Sequence, residues 1–131
     1  KTADAGSLAN IDLTIGDISQ ENVGVLPPET TASNFGKISD LATHSDMALG
    51  IINLVFQTIG MLSIFATKIH NIKDIVLTGN LVNVPQSHRI FKELEKLFGV
   101  KFHIPRNAEY ATSVGAARSY IKGMGYTDIK K

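Results

Sequence analysis

The 131-residue sequence predicts an α/β fold built on one parallel βαβ unit. Three stretches carry that expectation. Ile75-Val-Leu-Thr78 is a short apolar run rich in β-branched residues, with Lys73-Asp74 before it and Gly79-Asn80 after it. That is the signature of a buried strand. Gln86–Phe98 carries Ile90, Phe91, Leu94, Leu97 and Phe98 on one helical face, with Arg89, Lys92, Glu93 and Lys96 elsewhere. Val100-Lys-Phe-His-Ile104 then alternates as a second strand. Two strands joined through a single helix pair in parallel, which gives a parallel α/β half-sheet.

Bulk composition narrows the classes. A chain of 131 residues is at most one domain, large enough for a real core and small for a complete two-lobed enzyme. Hydrophobic content of 44% and charged content of 19% are those of a globular protein. A net charge of +1, with no basic run beyond Lys130-Lys131, offers no electrostatic case for nucleic acid or an anionic membrane. Zero cysteines exclude disulfide and thiolate chemistry and fit a reducing compartment, so a cytoplasmic location is expected. The chain opens on Lys1-Thr-Ala-Asp4, with neither Met nor an apolar leader. It reads as a piece of a longer protein.

Taken in order, residues 1–31 read as an irregular and extended segment. Residues 1–10 are weakly helical, with stop signals at Gly6 and Asn10. Ile11, Leu13 and Ile15 alternate with Asp12 and Thr14, as in a short strand. Gly16 to Thr31 is loop-like, with Gly24 and Pro27-Pro28 supplying turns. A loop of that length either packs on another part of the protein or borders a site. Residues 32–123 read as a helix–strand–helix–strand–helix core. A short helix is expected up to Leu41, capped by Ser33 or Asn34.

The longest helical signal is Ser45–His70, with Ser45 as N-cap and Asp46 in its first turn. Ala48, Ile51, Ile52, Val55, Ile59, Leu62, Ala66 and Ile69 recur at helical spacing. Met47, Leu54, Met61 and Phe65 widen that stripe to nearly the whole circumference. Such a helix is buried on all sides or lies in a membrane. Ala48–Thr67 is uncharged and long enough to span, but it carries Asn53, Gln57, Thr58, Ser63 and Thr67 and has no flanking basic cluster. The expectation is therefore a core helix, one face on the sheet and the other against a second copy of the chain. Pro85 suits the first position of the next helix, and Gly99 ends it. Pro105 closes the second strand, Arg106–Tyr110 forms a polar loop, and Thr112 or Ser113 opens a last helix ending at Gly123. Residues 124–131 read as a loose tail.

Chemistry-bearing residues are sparse. His44, His70, His88 and His103 show no metal-ligand spacing. Neither a Gly-x-Ser-x-Gly elbow nor a Gly-x-x-x-x-Gly-Lys-Thr loop occurs. Asp4, Asp12, Asp17, Glu21 and Glu29 precede the helical half; either a carboxylate pair for acid–base work lies among them, with nothing to fix its geometry, or, the simpler reading, they are exposed charge. The strand–Gly79–helix corner either turns the chain or forms the crevice in which an open α/β sheet holds a ligand. Glu109, at the end of the second strand, either favours a helix dipole or faces that crevice. The small residues Val114-Gly-Ala-Ala117 allow close approach of a sheet or a ligand, and the free N–H groups there suit an anion or a ribose.

Four segments together resemble a family. They are Asp17-Ile18, Ala32-Ser-Asn-Phe-Gly36, Ile75-Val-Leu-Thr-Gly-Asn-Leu81 and Tyr110-Ala-Thr-Ser-Val-Gly-Ala-Ala117. In this order and spacing they resemble the carboxyl-terminal portion of type II pantothenate kinases of the eukaryotic and staphylococcal type. That family lies in the actin-like, sugar-kinase-like ATPase superfamily, and the resemblance runs from about Asp12 to Gly123. It implies a ribonuclease-H-like half-sheet in the carboxyl-terminal lobe of an actin-like ATPase domain.

It further implies a whole protein that phosphorylates pantothenate with ATP and Mg²⁺, the opening step of coenzyme A synthesis. Gly79, Asn80 and Leu81 would lie against the adenosine of ATP, with Glu109 and Gly115 lining the same cleft. The Ser45–His70 helix would form a homodimer. The family's Asp-x-Gly-Gly-Thr phosphate loop, its catalytic carboxylate and its second Gly-rich loop do not occur in these residues. The resemblance therefore assigns no catalytic residue and no metal ligand here, expects the Mg²⁺ ligands in an amino-terminal half outside the chain, and expects this piece alone to be inactive. Another sugar or acid kinase of the superfamily, and a non-catalytic α/β interaction domain, are the alternatives.

Overall fold

A computed structural model describes residues 2–21 and 23–124; the expected tail from 125 onward lies outside them. The order is β1 (Leu13–Thr14), α1 (Ile15–Ile18), β2 (Thr31–Ser33), α2 (His44–Lys68), β3 (Asp74–Val76), α3 (Pro85–Phe98), β4 (Lys101–His103) and α4 (Ala111–Gly123). Short 3-10 turns at Thr2–Ala5, Leu8–Asn10, Asn80–Asn83 and Ala108–Tyr110 link them. The protein is α/β. β3 and β4 pair in parallel, with Asp74 beside Lys101, Ile75 beside Phe102 and Val76 beside His103. β1 and β2 form a separate antiparallel ribbon.

The main core lies between α2, α3 and the inner face of the parallel pair. Phe56 and Ile64 of α2 meet Ile90, Phe91 and Leu94 of α3 over Ile75 and Leu77. Phe56 meets Phe91 edge-on at 5.6 Å between ring centroids, and Phe91 lies 4.8 Å from Phe102. Gly60 sets the helix spacing, because a Cβ there would collide with the Leu94 side chain. α3 starts at Pro85 and ends at Gly99, whose φ of 64° reverses the chain. Arg89 and Glu93 form the expected i,i+4 pair, exposed and at 4.0 Å. It contributes a few tenths of a kcal/mol at most. On the outer face of the pair, His103 Nε2 lies 2.7 Å from Asp74 Oδ1, and Val76 is exposed.

Several expectations need correction. Each strand of the parallel pair is one or two residues shorter than its apolar run. α2 begins one residue earlier than expected. Its N-cap is Thr43, not Ser45: Asp46 N–H donates to Thr43 Oγ1, and Thr43 N–H donates to Asp46 Oδ2. That reciprocal pair is a capping box, and a Ser at 45 lies too close to Asp46 to make one. The buried face of α2 is Leu49, Gly50, Asn53, Phe56, Gly60 and Ile64, so Ile51, Val55, Leu62 and Ile69 of the expected stripe point outward. Apolar residues all round the helix hid which face meets the core.

The expected helix up to Leu41 is absent. Ala32 and Ser33 lie in β2, and Phe35 adopts φ 58°, a left-handed conformation that ends any helix. Residues 2–21 are more ordered than an irregular segment. A second capping box, Thr14 with Asp17, starts the single turn α1. Asp17 also accepts from Lys37 Nζ at 2.7 Å.

Asp12 explains much of this. It was expected to be exposed, yet it is fully buried. Its Oδ1 accepts from Phe35 N–H at 2.9 Å and its Oδ2 from Asn53 Nδ2 at 2.8 Å. Thr31 Oγ1 and Asn34 Nδ2 stand 3.5 Å from the same Oδ2, and Asn34 also donates to Gln57 at 3.2 Å. One carboxylate thus joins the ribbon, the Asn34–Gly36 turn and the middle of α2. Asn53 and Gln57, the polar residues that weakened the membrane reading, serve this junction.

Asp12→Ala should lower unfolding free energy by about 3 kcal/mol, because it strands two buried donors. Urea denaturation measures this. Acid should also act through two other carboxylates. Thr43 and Ser7 backbone N–H groups hold Asp46 at about 2, and Lys37 and Thr14 hold Asp17 at about 2, against an ordinary 3.8. A depressed folded pKa contributes stability that is complete above the unfolded value and is lost as pH falls through the folded one. Tm should therefore drop between about pH 4 and pH 2. Asp46→Asn should lower Tm at pH 7 and flatten that acid limb in thermal melts.

Candidate functional site

Parallel pairing sends both strands' carboxyl ends to the same edge, so the loops after β3 and β4 meet there. Leu77 N–H closes the pair by donating to His103 O at 2.9 Å, and Gly79 N–H then donates to Ala108 O at 2.9 Å. That bond fastens the turn after β3 to the loop after β4. Ala108 and Val82 are buried beneath it as the two loops' anchors.

Gly79 has φ 105° and ψ 168°, a conformation confined to glycine. Its missing Cβ points into open space, with no atom of the described residues within 4 Å. Asn80 and Leu81 follow, both exposed, on the first turn of Asn80–Asn83. Glu109 is half-buried and sits beside Ala108, the residue bonded to Gly79. Gly79, Asn80, Leu81 and Glu109 thus all lie on the two loops joined at the carboxyl edge of the parallel pair.

Gly115 stands one turn into α4, directly after this loop. No described atom lies within 4 Å of where its Cβ would be. The expected close approach of Val114-Gly-Ala-Ala117 to the sheet does not occur: among the described residues, α4 buries none of its own side chains. It also starts at Ala111, and its N-cap Tyr110 makes no side-chain capping bond; Ala111 N–H instead donates back to Ala108 O of the preceding turn.

Sequence reasoning missed two contributors. Asn107 takes φ 59°, the left-handed kink that turns Ala108 O toward Gly79. Asn is the residue type that tolerates that conformation best after Gly, a weak but available signal. Thr78 is exposed between the strand and the turn. The remaining histidines and acids do not converge: among the described residues no three His, Asp or Glu side chains gather as a metal site.

A crevice outside the carboxyl ends of parallel strands, floored by a Gly turn and flanked by a helix start, is the ligand site of α/β proteins. The Fumble family model, that of the pantothenate kinases, matches residues 1–116. The chain belongs to that family. Pantothenate kinase 1 of Oryza sativa subsp. japonica is 34% identical over 82 residues, which cover 56% of this chain and 12% of that protein. The matched stretch is thus a small part of the relative's length.

Replacing Gly79 by Ala should cost about 1–3 kcal/mol, since the side chain gains no contact to offset the strained backbone. Chemical denaturation of the variant against the parent measures it.

Proposed function

We propose that this chain is the adenosine-side portion of an ATP-dependent pantothenate kinase. The intact protein transfers the γ-phosphoryl group of ATP to the primary hydroxyl of pantothenate, giving 4′-phosphopantothenate, the first step of coenzyme A synthesis. Family membership over residues 1–116 is the observation that carries the reaction. The crevice carries this chain's part in it.

In this reading the type II subtype and the actin-like lobe follow the four resembling segments. No described side chain crowds Gly79 or Gly115, which leaves both open to a base and its ribose. The Gly79 backbone approaches the adenosine, Asn80 and Leu81 flank it, and Glu109 offers an acceptor for a ribose hydroxyl. ATP supplies the phosphoryl group, and Mg²⁺ stabilises its charge through ligands outside these residues. The chain alone is inactive, because phosphoryl transfer depends on phosphate loops that these residues do not include. The protein acts in the cytoplasm as a homodimer through α2, whose outward face keeps Leu62 and Phe65 64% and 55% exposed.

The test is ADP release by the full-length gene product with Mg·ATP, with and without pantothenate. Release that requires pantothenate is expected; release driven instead by a sugar or another acid would keep the fold and replace the acceptor. In the same assay Gly115→Leu should raise KM for ATP about tenfold, equivalent to about 1.4 kcal/mol, with Tm unchanged. An unaltered KM would remove Gly115 from the nucleotide site.

A further inference from the structure

β4 has one edge on β3 and one edge with no strand beside it among the described residues. Lys101 N–H donates to Lys73 O at 2.7 Å, and Leu77 N–H donates to His103 O at 2.9 Å. Along a strand, alternate residues turn their main-chain groups to opposite edges. Lys101 and His103 therefore bond to β3, and Phe102 directs its N–H and C=O to the far edge. That edge is not left open. Phe102 N–H donates to Glu95 Oε1 of α3 at 2.7 Å, a short bond to a charged acceptor. Among the described residues it is the one hydrogen bond of the Glu95 side chain, which also forms no ion pair there.

We propose that Glu95 is an edge cap, which keeps β4 from pairing with β4 of a second copy. An exposed strand edge is a template for another chain, and a charged side chain turned onto the edge is one way to close it. The uncapped edge would suit a second copy. Phe102 would offer both a donor and an acceptor outward, so two copies related by a two-fold axis could exchange N–H···O=C bonds with Phe102 opposite Phe102. The run Val100–Ile104 contains no Gly or Pro to interrupt such pairing, and Val100, Phe102 and Ile104 are strand-favouring residues. With Glu95 in place, the hydrogen that the incoming carbonyl needs is already taken. The carbonyl oxygen would also meet a negative charge.

The carboxylate is held where it acts. Glu95 is half-buried, and its carbonyl accepts from Gly99 N–H at 2.9 Å, which closes the left-handed turn leading into β4. The Phe102 ring lies 4.8 Å from that of Phe91 on the same helix. Turn and ring together fix the distance from residue 95 to the strand edge.

The test uses the full-length gene product. The parent, Glu95→Ala and Glu95→Gln are compared by hydrogen–deuterium exchange at the Phe102 amide and by light scattering over a concentration series. When dilute, the Ala variant should exchange that amide about tenfold faster than the parent. When concentrated, it should associate beyond the size of the parent and regain protection at Phe102. The Gln variant keeps an acceptor oxygen and should match the parent in exchange and in size. Faster exchange without association would show an edge that needs no cap. Association in which the Phe102 amide still exchanges fast would place the contact elsewhere. Unchanged exchange would show that Glu95 does not protect the edge. Any of these overturns the proposal. If circular dichroism shows Glu95→Ala unfolded, Glu95→Met, which keeps the length and helix preference of the side chain without its carboxylate, is read against the same outcomes. ADP release plays no part in these measurements, so the kinase reading survives or fails on its own data.

Discussion

The buried carboxylate of Asp12 is the constraint on which the amino-terminal half depends. Among the described residues no ion pair is formed by it. Its hydrogen bonds come from the Phe35 N–H and from the amide of Asn53, with Thr31 and Asn34 at the margin of bonding distance. A buried charge is tolerable only when its lone pairs are taken up in this way. The requirement reaches far along the sequence. It draws Phe35 into a left-handed conformation, lays its ring against Gly50 of α2, and fixes the ribbon to the middle of the longest helix. The Ala32–Gly36 segment owes its irregular shape to that junction.

α2 presents two different faces. On the core side small residues allow approach: Gly60 admits the side chain of Leu94, and Gly50 admits Ile11 and Phe35. On the outward side the residues are large and exposed. The polar residues of the helix are each accounted for. Asn53 and Gln57 serve the Asp12 junction, while Thr58, Ser63 and Thr67 bond the carbonyls of their own helix. Asp46 closes the amino-terminal end of the helix and fastens Ser7 and Asn10 to it.

The crevice depends on the opposite device, emptiness held by a rigid frame. β3 and β4 bring two loops together, and one backbone bond, Gly79 to Ala108, prevents them from drifting apart. The floor beneath is packed core, whereas the space above Gly79 and around Gly115 stays clear of side chains. Backbone can be approached closely only where no Cβ intervenes, and both glycines leave it bare.

The sequence by itself determined the elements whose signals are local. The run Ile75–Thr78, the Pro85 start and Gly99 stop of α3, and the alternation Val100–Ile104 each report on their own few residues, and a strand–helix–strand order leaves parallel pairing as its outcome. Of the five expected residues, Gly79, Asn80 and Leu81 follow β3 and Glu109 follows β4, so these four lie at the same edge: strand ends are legible, and parallel strands end together. Gly115 lies one turn into the helix that follows. The tertiary structure alone decided what depended on distant partners. A charge at Asp12 looks exposed until Asn53, 41 residues away, supplies its hydrogen bond. Phe35 looks helical until that carboxylate captures its N–H. A helix apolar on every side carries no local mark of which face meets α3, since hydrophobicity has no direction and only the positions of Leu94 and Phe91 give it one.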